Sequence, residues 1–275
     1  MSESGKEIET GTEHLRAEIR ERVAVITLNR PEARNALSDE LSPALRHLLE
    51  EVRDDAEIGA VMLTGAGTAF CAGGDVKGMG ANSRKETMSD AAAVNDLKHR
   101  QSRMTGALSA MPKPTVAVLP GPAAGAGLAL AMACDIRIAA QSAFITTGYA
   151  RVGLSGDYGM AWMLTSLVGT ARAREFMFTG ERLSAERCLE LGLFNRVHPD
   201  DEVRQAGFAF TRDLANGPSV ALRLMKDNLN FASHAQFQAA LDREAENLIR
   251  SARTDDHREA VRAFVEKRAP RFSGR

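Results

Sequence analysis

The sequence predicts an α/β fold that ends in a helical region. Short β-branched runs alternate with helical patterns up to about residue 172. Beyond it the apolar spacing is nearly all helical. Sequential alternation implies mainly parallel strand pairing. With 275 residues, 44% of them hydrophobic, a chain of this size buries roughly 70–75% of its extended surface.

The elements follow in order. Residues 1–15 are polar and acidic and are expected to form a mobile tail; residues 16–200 form the α/β core and 201–275 the helical region. "RVAVITLN" (22–29) alternates and reads as a strand. After the turn in "RPEARNAL", Ser38 is placed to cap a helix running to about Arg53, with Leu41, Leu45, Leu48, Leu49 and Val52 on one face. "GAVMLTG" is a short buried strand, and "GAGTAFCAGGDVKGM" a glycine-rich loop entering a helix. Residues 81–96 are small, polar and weakly patterned, which predicts a flexible segment or a poorly ordered helix. A helix to Met111 follows, then a strand in "PKPTVAVLPG". "PAAGAGLALAMACDIRIAA" reads as loop, helix and strand, "AFITT" as a strand, and "YGMAWMLTSLVG" as a helix. Beyond Asp200, three longer amphipathic runs reach Lys267.

Composition narrows the function. A net charge of −1 gives no electrostatic footprint for nucleic acid. No apolar stretch approaches the ~20 residues of a membrane span. Cys71, Cys134 and Cys188 are isolated, without C-x-x-C or histidine at ligand spacing. They predict buried, reduced thiols, no metal site and a cytoplasmic protein.

Two glycine-rich loops share one physical design. In "AFCAGGDVKGM" and "PGPAAGAGLALAM" a strand ends, small residues turn the chain and a helix begins. Residues without bulk let a ligand approach the backbone, and the first N–H groups of a helix are unpaired and carry its positive dipole end. Such amides can hold developing negative charge on a carbonyl oxygen; equally, small residues can serve tight packing alone. A dinucleotide reading of "GAGLAL" fails at Leu130, where helix–strand packing needs a small residue. A hydrolase reading of "GLSGD" places Ser155 correctly but ends in Asp157 instead of glycine. The six histidines, at 14, 47, 99, 198, 234 and 257, lie in the tail or in charged stretches that read as surface. Asp157 itself has two local readings: the cap of a helix starting at Tyr158, or a proton-transfer group part-buried among Tyr149, Met160 and Trp162.

Five stretches in order, "LNRPEARNALS", "AFCAGGDVKGM", "VAVLPGPAAGAGLALAMACDIRIAA", "ARVGLSGDYG" and "EAVRAFVEKRAPRFSGR", resemble the crotonase superfamily of enoyl-CoA hydratase/isomerase enzymes. The resemblance implies a crotonase-like spiral of ββα units with a C-terminal helical trimerisation region, a homotrimer or hexamer, and acyl-CoA thioester substrates with no further cofactor. By motif, it places the oxyanion-holding amides at Gly74 and Ala126. The CoA moiety falls to Ala33, Arg34, Ala72, Asp75 and Lys77, and to Phe264 and Lys267 of a neighbouring subunit. Read locally, Asp75 caps a helix and Asp135 starts a strand.

The chain departs from the hydratase pattern. The two positions where family hydratases carry water-activating glutamates hold Ala129 and Tyr149. Alanine cannot take a proton, and a phenol with a pKa near 10 is a poor base at neutral pH. Asp157 occupies the position where several isomerases of the family carry their single acid. The resemblance therefore implies double-bond isomerisation through Asp157. The alternatives are hydration, epoxide or ring isomerisation of an aromatic-pathway acyl-CoA, and a CoA-binding or assembly subunit without turnover.

Overall fold

Three antiparallel strands open the chain: Lys6–Ile8 (β1), Leu15–Arg20 (β2) and Val23–Leu28 (β3). The computed structural model describes residues 5–75 and 88–275. β1 lies inside the span expected to be a mobile tail. Backbone pairing of Lys6–Ile8 with Ala17–Ile19 secures it, and the Thr10 hydroxyl donates to the Leu15 carbonyl at 2.7 Å. These bonds leave no mark on hydropathy, so a polar sequence concealed them.

The helix Leu41–Asp54 (α1) buries the five residues its spacing predicts, and Ser38 Oγ accepts the Leu41 N–H at 3.0 Å. Ala60–Gly65 (β4) is buried along its whole length and lies parallel to β3. Of the weakly patterned stretch, residues 81–87 lie outside the described residues. From Asp90 it is a regular helix, Asp90–Gln101 (α2), with Ser89 as its cap. α2 has no buried residue, so it has no apolar stripe to betray it. A π-helical turn, Ser102–Gly106, then sinks Met104 and Thr105 into the core.

Thr115–Leu119 (β5), Ala123–Ala124 (β6), Gly125–Ala133 (α3), Ile136–Ala140 (β7) and Phe144–Thr146 (β8) follow. α3 is apolar on every side and buried from Ala126 onward, as a helix inside a large core must be. Met160–Thr179 (α4), interrupted at Gly169, leads to Leu183–Ser184 (β9), Ala185–Glu190 (α5) and Arg196–His198 (β10). One sheet has the order β1-β2-β3-β4-β5-β7-β10, parallel from β3 onward; the other is β6-β8-β9.

Four helices close the chain: Val203–Ala215 (α6), Ser219–Ala232 (α7), Phe237–Ala252 (α8) and Asp255–Glu266 (α9). α6 lies on β4, β5 and β7. A Cβ at Gly207 would meet Val118 Cγ2 at 2.5 Å, so glycine sets how closely α6 approaches the sheet. α7 packs on α8, and α8 on α9. The buried Asp256 carboxylate accepts the N–H groups of Ser273 at 2.6 Å and Gly274 at 3.0 Å, pinning the last residues to α9. No helix among the described residues is long and apolar enough to cross a membrane.

The two glycine-rich loops meet at a contact that admits no side chain. A Cβ on Gly127 in α3 would stand 2.4 Å from the Cys71 carbonyl oxygen and 2.6 Å from its Sγ. Gly127→Ala should therefore overpack this junction and cost about 1–3 kcal/mol. Urea unfolding at fixed protein concentration should show a lower midpoint with an unchanged slope.

Candidate active site

Backbone pairing draws the motif loops together one after another. The Pro31–Ala33 turn ends in Arg34 and Asn35, both left-handed (φ 50° and 57°). The Ala72 N–H then donates to the Arg34 carbonyl at 2.9 Å, and the Leu37 N–H to the Gly73 carbonyl at 2.8 Å. Buried Asn35 fastens this pair from behind: its Nδ2 donates to the carbonyls of Ala66 and Ala69, both at 2.9 Å. Arg30 closes the far end on Asp75 at 3.2 Å. Ala33, Arg34, Ala72 and Asp75 are thus brought together on two adjoining segments. Asp75 is occupied by Arg30, a partner separated by 45 residues that local sequence gives no means to anticipate. The helix expected after Asp75, and Lys77 with it, lie outside the described residues.

The second glycine loop joins the first. Cys71 and Ala123 form a parallel bridge, and the Ala124 N–H donates to the Cys71 carbonyl at 3.0 Å. Gly73 (φ 93°) sits so close that a Cβ there would lie 2.8 Å from the Ala124 oxygen and 3.5 Å from the Ala126 nitrogen. Gly74 follows directly, half-buried and bridged to Leu37. Ala124 is extended, Gly125 turns left-handed (φ 48°) and α3 begins. Ala126, as the second residue of α3, has an N–H with no intrahelical acceptor. The loops carrying Gly74 and Ala126 are therefore neighbours, and both reach the N-terminal end of a buried helix, where negative charge is favoured.

Asp157 arrives from a third direction. β6 and β8 run parallel with Ala124 opposite Thr146, so the chain leaving β8 passes beside the start of α3. The Thr147 hydroxyl donates to the Phe176 carbonyl at 2.8 Å and anchors this segment to α4. Left-handed Gly148 then turns the chain inward and buries Tyr149. Tyr149 Oη donates to Asp157 Oδ1 at 2.7 Å. The helix begins at Met160, two residues later than the capping reading needs, and the Asp157 side chain turns to Tyr149 instead of capping it. The Tyr158 N–H is held by Gln101 Oε1 at 2.7 Å, a long-range bond from the end of α2 with no local sequence signal. Trp162, expected to help bury the acid, is 59% exposed. With Met160, Met163 and Leu164 facing the core, residue 162 falls on the opposite side of the helix.

The electrostatics of the pair follow from its burial. Desolvation pushes the Asp157 carboxyl above the usual carboxylate range, and the Tyr149 hydroxyl pulls the other way. Burial, reinforced by the Asp157 charge, pushes the Tyr149 phenol upward, so it stays protonated and donates. Ala129, one turn along α3 from Ala126, is fully buried and brings no polar atom. Asp135 accepts the Thr115 N–H at 2.8 Å and pairs with Lys226 at 2.8 Å, a structural role at the start of β7. Phe264, 85% exposed, and Lys267 lie on α9 and at its end. No hydrogen bond among the described residues joins either to the loops. Cys71, Cys134 and Cys188 are buried free thiols, each pushed up to about 12 by desolvation.

Known proteins share this architecture along most of its length. Residues 18–275 match the enoyl-CoA hydratase/isomerase family model. The chain is 35% identical to the 1,2-epoxyphenylacetyl-CoA isomerase of Escherichia coli over 96% of its own length and 99% of the relative's. It is 32% identical to the short-chain-enoyl-CoA hydratase of Clostridium acetobutylicum, covering 90% of this chain and 92% of that one. The crystal structure of an enoyl-CoA hydratase from Polaromonas sp. JS666 superposes with a TM-score of 0.88 at 32% identity, over 94% of this chain and 99% of that one. With spiral, paired glycine loops and C-terminal helices all in place, this chain belongs to the enoyl-CoA hydratase/isomerase family of the crotonase superfamily and is an enzyme of that family.

Proposed function

We propose that the enzyme isomerises an acyl-CoA through an enolate, with Asp157 as its single acid/base. The observation that carries this reading is one carboxylate: Asp157 is half-buried and bonded to Tyr149, while the hydratase acid positions hold Ala129 and Tyr149 itself. In this reading the thioester oxygen lies between the N–H groups of Gly74 and Ala126. Asp157 takes a proton from the carbon next to the carbonyl or from the γ-carbon. The electron pair passes to the thioester oxygen, and the neutral acid returns its proton elsewhere on the same face. Losing one amide donor of such a pair typically costs about 3–4 kcal/mol of transition-state stabilisation. A carboxyl raised by burial suits the cycle, since it is a stronger base toward the carbon-bound proton than an exposed one and keeps that proton out of water until it is returned.

CoA contacts fall to Ala33, Arg34, Ala72 and Lys77, with Asp75 serving them indirectly by fastening Arg30. Apolar side chains on α7–α9 support a trimer or dimer of trimers. Leu229, Phe237, Leu248, Phe264 and Val265 are each at least 66% exposed on one chain, more apolar surface than a monomer usually leaves in water. A neighbour's Phe264 and Lys267 would then complete the CoA site. Opening or isomerising an epoxide of an aromatic acyl-CoA is the second reading, favoured by the name of the Escherichia coli relative.

Purified enzyme should move the double bond of 3-enoyl-CoA substrates, and product analysis against aromatic epoxy-acyl-CoA separates the two readings. Asp157→Asn should lower kcat about 10²–10⁴-fold while the protein stays folded; full turnover in that variant would refute the assignment. The same substitution should raise the melting temperature at neutral pH. The folded-state carboxyl is held above its ordinary value, so the native protein loses stability as pH rises from the unfolded to the folded pKa, and Asn removes that charge. The gain should vanish below about pH 4, where both forms are neutral. Sedimentation should give three or six chains per particle, and a monomer would exclude the shared site.

A further inference from the structure

We propose that Tyr149 is the positioning residue of the acid/base: its hydroxyl holds Asp157 Oδ1 and leaves Oδ2 as the one oxygen that carries the substrate's proton. The inference rests on the reading of Asp157 as acid/base and deepens it. Tyr149 Oη and Asp157 Oδ1 are 2.7 Å apart, and the tyrosine is 6% exposed. Its ring is set by left-handed Gly148 before it, and it lies beside Gly156, where a Cβ would meet it at an ordinary contact distance of 3.8 Å. The backbone is tethered independently. Gln101 Oε1 accepts the Tyr158 N–H at 2.7 Å, which fixes the peptide that follows Asp157. Rotation of the carboxylate is the freedom that remains, and the phenol removes it.

The surroundings leave this task to Tyr149. α3 offers apolar residues, and Met160 begins α4. From α1 and α2, the charges of Arg46, Asp96 and Arg100 act on Tyr158. Tyr149 is the side chain among the described residues that acts on the Asp157 carboxylate, and it favours the charged form while burial opposes it. With alanine and tyrosine at the two glutamate positions of the hydratase pattern, Asp157 supplies the carboxylate and Tyr149 the donor that orients it. Both transfers, removal and return, then use one oxygen.

Tyr149→Phe keeps the ring and deletes the hydroxyl. Its kcat should fall about 10–100-fold with little change in KM. The acid limb of the kcat/KM profile should move up by about one pH unit, because the carboxylate loses a charge-assisted donor. Replacing tyrosine by 3-fluorotyrosine in a Tyr158→Phe background strengthens the donor at Tyr149 alone, since the chain has two tyrosines; the same limb should then move down. A folded Tyr149→Phe with unchanged limb and kcat, beside an inactive Asp157→Asn, overturns the positioning role and leaves the acid/base reading standing. If Asp157→Asn keeps its turnover, both fall. Should Tyr149→Phe fail to fold, the fluorinated protein decides: a downward limb supports the role and an unmoved limb refutes it.

Discussion

The close approach of Gly73 to the Ala124–Ala126 backbone is the contact on which the rest of the site depends. It exists because four backbone segments from distant parts of the chain are bonded side by side: Arg34–Leu37, Cys71–Asp75, Pro122–Ala124 and Phe144–Thr146. Each link is a main-chain hydrogen bond, so it fixes direction as well as distance. At Gly73, Gly121 and Gly127 a Cβ would fall within 3 Å of a neighbouring segment. Side chains there would hold the loops apart, and the helix end at Ala126 would lose its neighbour. Asn35, buried and fully engaged, shows how the cost of hiding these loops is met. It satisfies backbone carbonyls that would otherwise be buried unpaired.

A framework of backbone bonds suits a site that must receive charge on an oxygen. Amides fixed by their own segments need no reorganisation when the charge appears. The acid partner is arranged differently. Asp157 comes from a turn rich in left-handed residues: Gly153, Gly156, Tyr158 and Gly159 all have positive φ. Two long side chains restrain this turn. Tyr149 takes the carboxylate and Gln101 takes the next peptide. Gln101 is the last residue of α2, where the π-helical turn begins. A helix without a buried face thereby helps to place the acid.

Much of the fold is legible residue by residue. β3, β4, β5 and β7 appear where β-branched runs predict them, and α1 starts behind the serine expected to cap it. These elements bury one face or all faces, so hydrophobic order records them. β1 was not legible, and α2 only in part, for the converse reason. One is held by edge pairing and the other is exposed all round, and neither arrangement requires apolar residues in any period. The helical region was read as three long runs, whereas four helices follow Asp200, and α6 belongs to the sheet it covers.

By itself the sequence determined the chemistry on offer: two loops of small residues before helices, one acid in the fourth motif, and no acid at Ala129 or Tyr149. These are matters of residue type at local spacing, which linear order carries in full. What the Asp157 side chain does was decided only in three dimensions. On local spacing, an aspartate just before a helix reads as a cap, yet here a buried tyrosine eight residues earlier claims the carboxylate and α4 begins beyond it. Asp75 shows the same limit, since its reach to Arg30 depends on the two segments lying side by side. Partners that meet through tertiary packing leave no periodic trace, because the bond joins positions whose separation along the chain is arbitrary.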